Sequence, residues 1–252
     1  MKIYFFLLIL FIIVFSCEFD RHYYINQSFR NYYFKDPFFK NICTGLYNAY
    51  NRTFYENSYY IYSVHSLNFD KYLKNNKEKL KKNFLIFYEN NKKNKRIKNF
   101  NKISNVFGKT NEYYYIFFRF SGEDLSENIN EFPIIKNILK NENIKTCFIS
   151  IMNKEISIPY HKSPHTFYLR YHFPIIFDSN SDCYLEVMGK KLYYKNGSFM
   201  FDDSFPHKLE KKDNTFRAVL ICDIKKDRKD ILLDTMYKII VNNMDEYTDK
   251  IK

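Results

Sequence analysis

The C-terminal half of the chain consists of short runs of β-branched and aromatic residues, separated by Asn, Gly, Asp, Ser and Pro. Runs of this length and composition predict β-strands, because such side chains pack well on a pleated surface. Several short strands at this spacing indicate an all-β sandwich or jelly roll. We predict strands at Thr146–Met152, Thr166–Ile176, Cys183–Met188, Lys191–Tyr194, Ser198–Phe201 and Phe216–Ile224.

The preceding residues and the C-terminus carry helical patterns. Apolar residues recur at helical intervals from Leu67 to Lys98 and predict an amphipathic helix with a basic solvent face, followed by a polar loop. Tyr113–Phe120 predicts a strand ended by Gly122. Short helices are expected over Asn130–Lys140, with a proline in the first turn, and over Leu232–Val241. The expected architecture is therefore mainly β with flanking helices.

The N-terminus begins with an unbroken apolar run from Ile3 to Phe15. Its length is typical of a secretory signal peptide and is shorter than the roughly 20 residues that cross a bilayer. A plausible cleavage site precedes Cys17, but an uncleaved signal anchor is an open alternative. We expect residues 1–16 to be a signal peptide or signal anchor, 17–66 an irregular lead-in and 67–252 the main domain. The expected location is the secretory lumen, or a membrane with the domain facing the lumen or exterior.

Charge and cysteine content narrow the function. The formal net charge is +12, but Lys, Asn, Ile, Tyr and Phe are all abundant together and no base-reading motif accompanies the charge. We therefore expect no nucleic-acid partner. The five cysteines include no CxxC pair, which argues against a thiolate zinc site. A secreted context permits a disulfide, whose pairing the sequence leaves open.

Histidines in the β-rich region suggest a metal site. His161 lies between two prolines, in a predicted turn that aims it into a barrel mouth, and His207 follows 46 residues later. Asp203, Phe205 and His207 would share one face if a strand ran that far. Two imidazoles with open coordination positions suit Fe(II), which needs room for a chelating co-substrate and for O₂.

Two arginines suggest an acidic ligand beside the metal. Arg217 lies in an apolar strand, and a buried arginine needs an anionic partner. Its planar guanidinium matches a carboxylate. Arg170 and His172 are two residues apart and share a strand face, as do Ser150 and Met152.

These residues belong to segments that resemble the aspartyl/asparaginyl β-hydroxylase family of Fe(II)- and 2-oxoglutarate-dependent oxygenases. The resemblance covers Ser150 to Asp223, with weaker similarity back to about Leu67. The Asp-Asp-Ser-Phe-x-His run is its most specific element. The matching pieces are Ser150–Met152, Pro159–His161, Leu169–His172, Phe201–His207, Phe216–Arg217 and Cys222–Ile224.

The resemblance implies a double-stranded β-helix, of the jelly-roll or cupin-like type, and an oxygenase domain over 67–252. Its cofactors would be Fe(II), 2-oxoglutarate as co-substrate, and O₂. The implied roles are metal ligation and catalysis by His161 and His207, binding of the distal 2-oxoglutarate carboxylate by Arg217 helped by Ser150, and contact near the metal-binding end by Arg170 and His172. Met152 is also expected among the co-substrate-binding residues.

One position departs from the usual metal triad. Most such oxygenases place Asp or Glu two residues after the first histidine, where this chain has Ser163. The family's β-hydroxylases also lack that carboxylate, so the departure does not by itself imply inactivity. We expect water in the vacated place and weaker metal retention.

The resemblance implies hydroxylation of the β-carbon of Asp or Asn in a protein or peptide, possible substrates being disulfide-rich extracellular modules. Two alternatives stay open. A lipid acyl-chain hydroxylase would suit membrane association through the N-terminus, and an inactive jelly-roll binding module would suit Ser163. The oligomeric state is not predicted.

Overall fold

The computed structural model describes residues 44–51, 59–92, 96–99, 113–163, 166–227 and 230–242. The helices are α1 (44–51), α2 (Asn68–Asn75), α3 (Lys77–Asn91), α4 (Ser126–Ile129), α5 (Pro133–Ile138) and α6 (Ile231–Asn242). The strands are β1 (Ile61–Tyr62), β2 (Lys98–Asn99), β3 (Tyr113–Phe120), β4 (Glu123–Asp124), β5 (Ile144–Met152), β6 (Ile156–His161), β7 (Tyr168–Ile176), β8 (Cys183–Val187), β9 (Lys190–Tyr193), β10 (Phe199–Phe201), β11 (His207–Lys211) and β12 (Arg217–Lys225).

The strands form two antiparallel sheets. Within the described residues, the larger sheet has the order β1-β10-β7-β12-β5-β3-β2, with β4 beside β3, and the smaller has the order β6-β11-β8-β9. From β5 to β12 the chain passes repeatedly between the sheets, so that partners in each sheet come from distant parts of the sequence. This is the double-stranded β-helix, and the expectation of a mainly β fold with flanking helices is confirmed.

Strand alternation produces two hydrophobic layers. In β12, Val219 and Ile221 point between the sheets, whereas Leu220 and Cys222 point to the opposite face of the larger sheet. The opposite face is covered by the helical segments through residues such as Phe84. Because both faces of β12 are buried, its central run Ala218–Cys222 is continuously apolar rather than alternating.

The predicted elements agree with the structure in type and differ in extent. The strand at Tyr113–Phe120 is confirmed with the same bounds, and the C-terminal helix to within one residue at each end. The helix predicted over Leu67–Lys98 is wrong as one element, since it is divided at Asn76 and ends at Asn91. The loop after it contains β2, which pairs with β3.

The prediction of a helix over Asn130–Lys140 is too long. The helix begins at Pro133 and ends at Ile138. Proline suits the first position because the backbone N–H that it lacks would have no acceptor within the helix there. The lead-in predicted as irregular contains regular structure where it is described. Its helix α1 contributes Tyr47 to a cluster with Phe167, and β1 pairs with β10.

One local prediction around the histidines is wrong, and the condition set for another is not met. His161 lies at the end of β6 rather than in a turn, and Pro159 is tolerated there because β6 is an edge strand among the described strands. No strand runs through Asp203, Phe205 and His207, since β10 ends at Phe201 and β11 begins at His207.

Some expectations fall outside the described residues. These include the signal peptide or anchor over 1–16, most of the lead-in, and His165. Across the described ranges, no helix is both long and apolar enough to cross a membrane.

Candidate active site

The two histidines proposed as metal ligands lie side by side. His161 ends β6 and His207 begins β11, and the antiparallel pairing of these strands places them directly opposite each other. Their ring centroids are 4.2 Å apart. The double-stranded β-helix therefore brings together two imidazoles that the sequence separates by 46 residues.

Both imidazoles are oriented by the same local hydrogen bond. The Nδ1 of His161 lies 2.8 Å from the carbonyl oxygen of Pro159, and the Nδ1 of His207 lies 2.8 Å from that of Phe205. A carbonyl oxygen only accepts, so Nδ1 carries the proton and donates. In the neutral ring the lone pair is then on Nε2, the arrangement that a metal ligand needs.

Burial keeps these rings neutral. His207 is buried, and desolvation followed by the neighbouring His161 lowers its pKa well below the usual range. Desolvation also lowers the pKa of His161 to about 4, an effect reinforced by Arg170 and opposed by the Pro159 hydrogen bond. Both rings therefore present lone pairs rather than protons at neutral pH.

The turn before His207 is tied to its surroundings. The carboxylate of Asp202 accepts hydrogen bonds from the backbone N–H and hydroxyl of Ser204 at 3.1 and 2.7 Å and pairs with Lys226. The N–H of Ser163 donates to the carbonyl oxygen of Asp203 at 2.7 Å. The segment that follows His161 is thus fastened to the turn that precedes His207.

Arg217 is a buried cation without a carboxylate partner among the described residues. Arg217 is the first residue of β12, and it is only 1% exposed. Its Nη1 donates to the hydroxyl of Ser150 and contacts the sulfur of Met152, each at 3.3 Å. Its Nε and Nη2 have no hydrogen-bond partner among the residues that the structure describes. A buried guanidinium in this state is complementary to an anionic ligand.

Tyr194 connects Arg217 to His172. The Arg217 guanidinium carbon lies 4.2 Å above the centre of the Tyr194 ring, a cation–π contact. The Tyr194 hydroxyl lies 2.9 Å from Nδ1 of His172, and the Nε2 of His172 has no hydrogen-bond partner in the described part of the chain. Burial, followed by the nearby Arg217, holds the pKa of His172 well below its usual range.

The imidazole pair and the Arg217 region are in contact through Phe201. The Phe201 ring centroid is 5.2 Å from that of His207 and 5.5 Å from that of His172. Phe201 also belongs to the apolar layer between the sheets, and His172, His207 and Arg217 are buried, whereas His161 is partly exposed. Charges in this region therefore interact strongly.

Arg170 has carboxylate partners of its own. It lies opposite Asp223 on adjacent strands, and its Nε and Nη2 donate to the two Asp223 oxygens at 2.7 and 3.0 Å. Nη2 also lies 3.1 Å from the Asp203 carboxylate. Burial raises the pKa of Asp203 to about 7, even though Arg170 opposes the rise. Contact of Arg170 with a co-substrate stays a prediction.

The donor set fits a divalent iron with open positions. Within the described ranges, no group of three or more His, Cys, Asp or Glu side chains converges on a metal position. Two neutral imidazoles with Nε2 lone pairs leave positions for a chelating acid and for O₂. A ligand carboxylate would bind the Nε and Nη2 of Arg217, which no described residue pairs.

The family of the chain makes it a dioxygenase that depends on Fe(II), 2-oxoglutarate and O₂. The aspartyl/asparaginyl β-hydroxylase family model matches residues 74–227, more than half of the chain, and the chain belongs to this family. The expected resemblance and the expected enzyme class are confirmed. No curated protein matches the chain.

Solved structures resemble the chain at low similarity. A 2OG-Fe(II) oxygenase family oxidoreductase from Burkholderia pseudomallei has 13% identity and a TM-score of 0.35, over 45% of this chain and 68% of that one. A Trichoplax adhaerens prolyl hydroxylase, in complex with a hypoxia inducible factor peptide fragment, has 9% identity and a TM-score of 0.43, over 81% of this chain and 97% of that one. At these values no residue role carries over.

Two residues of the site were missed by sequence reasoning. Tyr194 is one of 24 tyrosines, and no spacing distinguishes it from the others. Asp223 lies in a segment that matches the family, but it received no role, because its pairing with Arg170 depends on the register of β7 against β12. The matched segment pointed to the residue, and only the register shows its partner.

Proposed function

We propose that this dioxygenase hydroxylates the β-carbon of Asp or Asn residues in a protein or peptide substrate. The family supports the reaction and the residue class. The observation that carries the site assignment is the buried Arg217, whose Nε and Nη2 have no partner among the described residues. A dicarboxylate co-substrate supplies the missing anion.

The proposed roles follow from the geometry. His161 and His207 would hold the iron through Nε2, each ring being fixed by its Nδ1 hydrogen bond. Arg217 would bind the distal carboxylate of 2-oxoglutarate, with Ser150 and Met152 positioning its Nη1. The iron, when bound, supplies the coupling of 2-oxoglutarate decarboxylation to oxygen insertion into a C–H bond.

Two further residues would complete the co-substrate site. His172 lies near Arg217, its Nε2 has no partner within the described ranges, and it would contact the end of 2-oxoglutarate nearer the metal. Arg170 would act at the same end while remaining paired with Asp223. The surrounding apolar layer would exclude water and so protect reactive species from side reactions.

We place the reaction in the secretory lumen, or on a membrane that carries the domain on its lumenal or exterior side. The apolar run at Ile3–Phe15 supports this location. In that location the proposed substrates would be disulfide-rich extracellular modules.

The test uses the purified chain with Fe(II), 2-oxoglutarate and a panel of peptides. Linear and disulfide-closed peptides with one Asp or Asn are paired with matched peptides that carry Ala at that position. We expect succinate formation and a mass gain of one oxygen on the acceptor residue only. The His207→Ala variant is the inactive control. Oxygen gain on fatty acyl chains but on no peptide would favour the lipid alternative, and the absence of succinate with every substrate would refute the proposal.

A further inference from the structure

Two cysteines lie opposite each other in the larger sheet, away from the site. Cys147 in β5 and Cys222 in β12 are Cα partners in the antiparallel ladder. Their sulfur atoms are 3.7 Å apart. Both are thiols in this structure, and both are fully buried.

This arrangement is close to that of a disulfide. Directly opposed residues of an antiparallel pair have Cα atoms about 4.5–5.5 Å apart. Disulfides span Cα distances of about 4.4–6.8 Å and need the sulfurs at about 2.05 Å. The remaining approach of the sulfurs is within reach of side-chain rotation, with little movement of the two strands.

The pairing is also unambiguous among the described cysteines. Cys147 and Cys222 belong to the hydrophobic layer on the helix-covered face of the larger sheet. Cys183 belongs to the layer between the two sheets. A bond from Cys183 to either of the others would have to pass through the larger sheet.

We propose that Cys147 and Cys222 form a cross-strand disulfide when the chain folds in the presence of a small disulfide oxidant such as oxidised glutathione. One thiolate attacks the oxidant to give a mixed disulfide and one released thiol. The second cysteine then displaces the remaining oxidant half. The two thiol protons end on the two released oxidant thiols, so two cysteines are oxidised as one oxidant disulfide is reduced.

Burial sets the time at which the bond forms. Once the helices cover this face, neither sulfur is accessible to an oxidant. Reaction must therefore precede helix packing, after β12 has paired with β5. The same burial protects the finished bond from reductants, and it leaves any thiols that escape oxidation unreactive, since the pKa of Cys222 is raised well above its usual value by the Cys147 contact and by burial.

The bond would fix the register of the two strands that carry the proposed co-substrate residues. Ser150 and Arg217 lie on the opposite face of the same strands, and their contact depends on the pairing of β5 with β12. The linked cysteines are 75 residues apart, so the bond removes considerable freedom from the unfolded chain. We therefore expect oxidised protein to unfold at a higher urea concentration than reduced protein.

The test is peptide mapping of the full chain folded with oxidised or with reduced glutathione. Denatured samples are alkylated and digested with trypsin without reduction. The cysteines fall in separate tryptic peptides, Thr146–Lys154 and Ala218–Lys225, with one cysteine each. We expect these two peptides joined in the oxidised sample, and both alkylated in the reduced sample.

Two variants provide controls. Cys183→Ser should retain the joined peptide. Cys147→Ala/Cys222→Ala should have one urea midpoint in both buffers, whereas the unaltered chain should show a higher midpoint after oxidation. The proposal is overturned if the folded, oxidised chain has both peptides alkylated, or if either cysteine is joined to glutathione or to another cysteine.

Discussion

Replacing Arg217 by Met separates a ligand-binding arginine from a structural one. Met has a similar reach and no charge, and the residue is fully enclosed. If Arg217 serves to bind a carboxylate, the substitution should leave the fold intact and abolish most co-substrate binding. If it is structural, the substitution should damage the fold.

The expected effect on stability follows from the contacts. The substitution loses the Ser150 hydrogen bond and the contact with the Tyr194 ring, together worth about 2 kcal/mol. It also removes a buried guanidinium that has no carboxylate partner among the described residues, whose desolvation costs several kcal/mol. We expect the free energy of unfolding, without co-substrate, to be unchanged or higher by about 1–2 kcal/mol.

The expected effect on binding is larger. Truncating one partner of a buried, hydrogen-bonded charge pair costs about 2–5 kcal/mol of binding free energy. Since about 1.4 kcal/mol is tenfold in Kd, the 2-oxoglutarate Kd should rise at least about 30-fold. Arg217→Lys keeps the charge but not the planar guanidinium, so its 2-oxoglutarate Kd should lie between that of the unaltered chain and that of Arg217→Met.

The assay measures urea unfolding of the metal-free chain and 2-oxoglutarate binding to the Mn(II)-loaded chain by calorimetry, since Mn(II) prevents turnover. Lys211 offers a matched control, because it is equally buried but pairs with Asp213 at 3.0 Å. Lys211→Met should lower the free energy of unfolding by about 2 kcal/mol and leave the Kd unchanged. The reasoning is refuted if Arg217→Met is as destabilising as Lys211→Met and binds 2-oxoglutarate normally.

Three further predictions concern the neighbours of these groups. Tyr194→Phe, which keeps the ring but loses the hydroxyl on His172, should weaken 2-oxoglutarate binding less than Tyr194→Leu, and calorimetry giving equal losses would contradict the role of the ring. Asp223→Asn should lower the free energy of unfolding by about 3 kcal/mol in urea titrations, because it breaks a two-point pair with Arg170, and an unchanged midpoint would contradict this. Burial raises the pKa of Asp203 from 3.8 to about 7, so the stability it contributes is complete below pH 3.8 and is lost as the pH rises through 7. The stability difference between the unaltered metal-free chain and Asp203→Asn should therefore change across that interval, and a constant difference would be evidence against the buried carboxyl.

The sequence was sufficient for the parts of the fold that depend on local pattern. The strand at Tyr113–Phe120 is apolar and bounded by a glycine turn, so composition alone defines it. The segment Leu67–Lys98 was predicted as one helix, because its hydrophobic spacing continues across Asn76. The helical backbone conformation is interrupted at that residue, so the structure has two helices. Strand β11 was missed, since its run His-Lys-Leu-Glu-Lys alternates buried and partly exposed positions but is mostly charged.

The site depended on information of a different kind. The family resemblance implied that His161 and His207 bind one metal, and the pairing of β6 with β11 places them opposite each other. The partners of Arg170 could not be read from the sequence, because Asp223 meets it only through the register of two distant strands. Tyr194 lies in a short 3₁₀ turn after β9, where neither alternation nor helical spacing marks a buried position.

The two arginines differ in their partners, and this difference bears on which acid the site would accept. Arg170 is balanced by two carboxylates, whereas Arg217 has none among the described residues. On the proposed assignment, an incoming acid gains most where the cation is unbalanced, which favours a carboxylate beside Arg217 and directs the other end of the molecule towards His161 and His207. A monocarboxylate can interact either with Arg217 or with the position beside His161 and His207, but not with both. The arrangement therefore favours a dicarboxylate over a monocarboxylate before any contact with the carbon chain between them is considered.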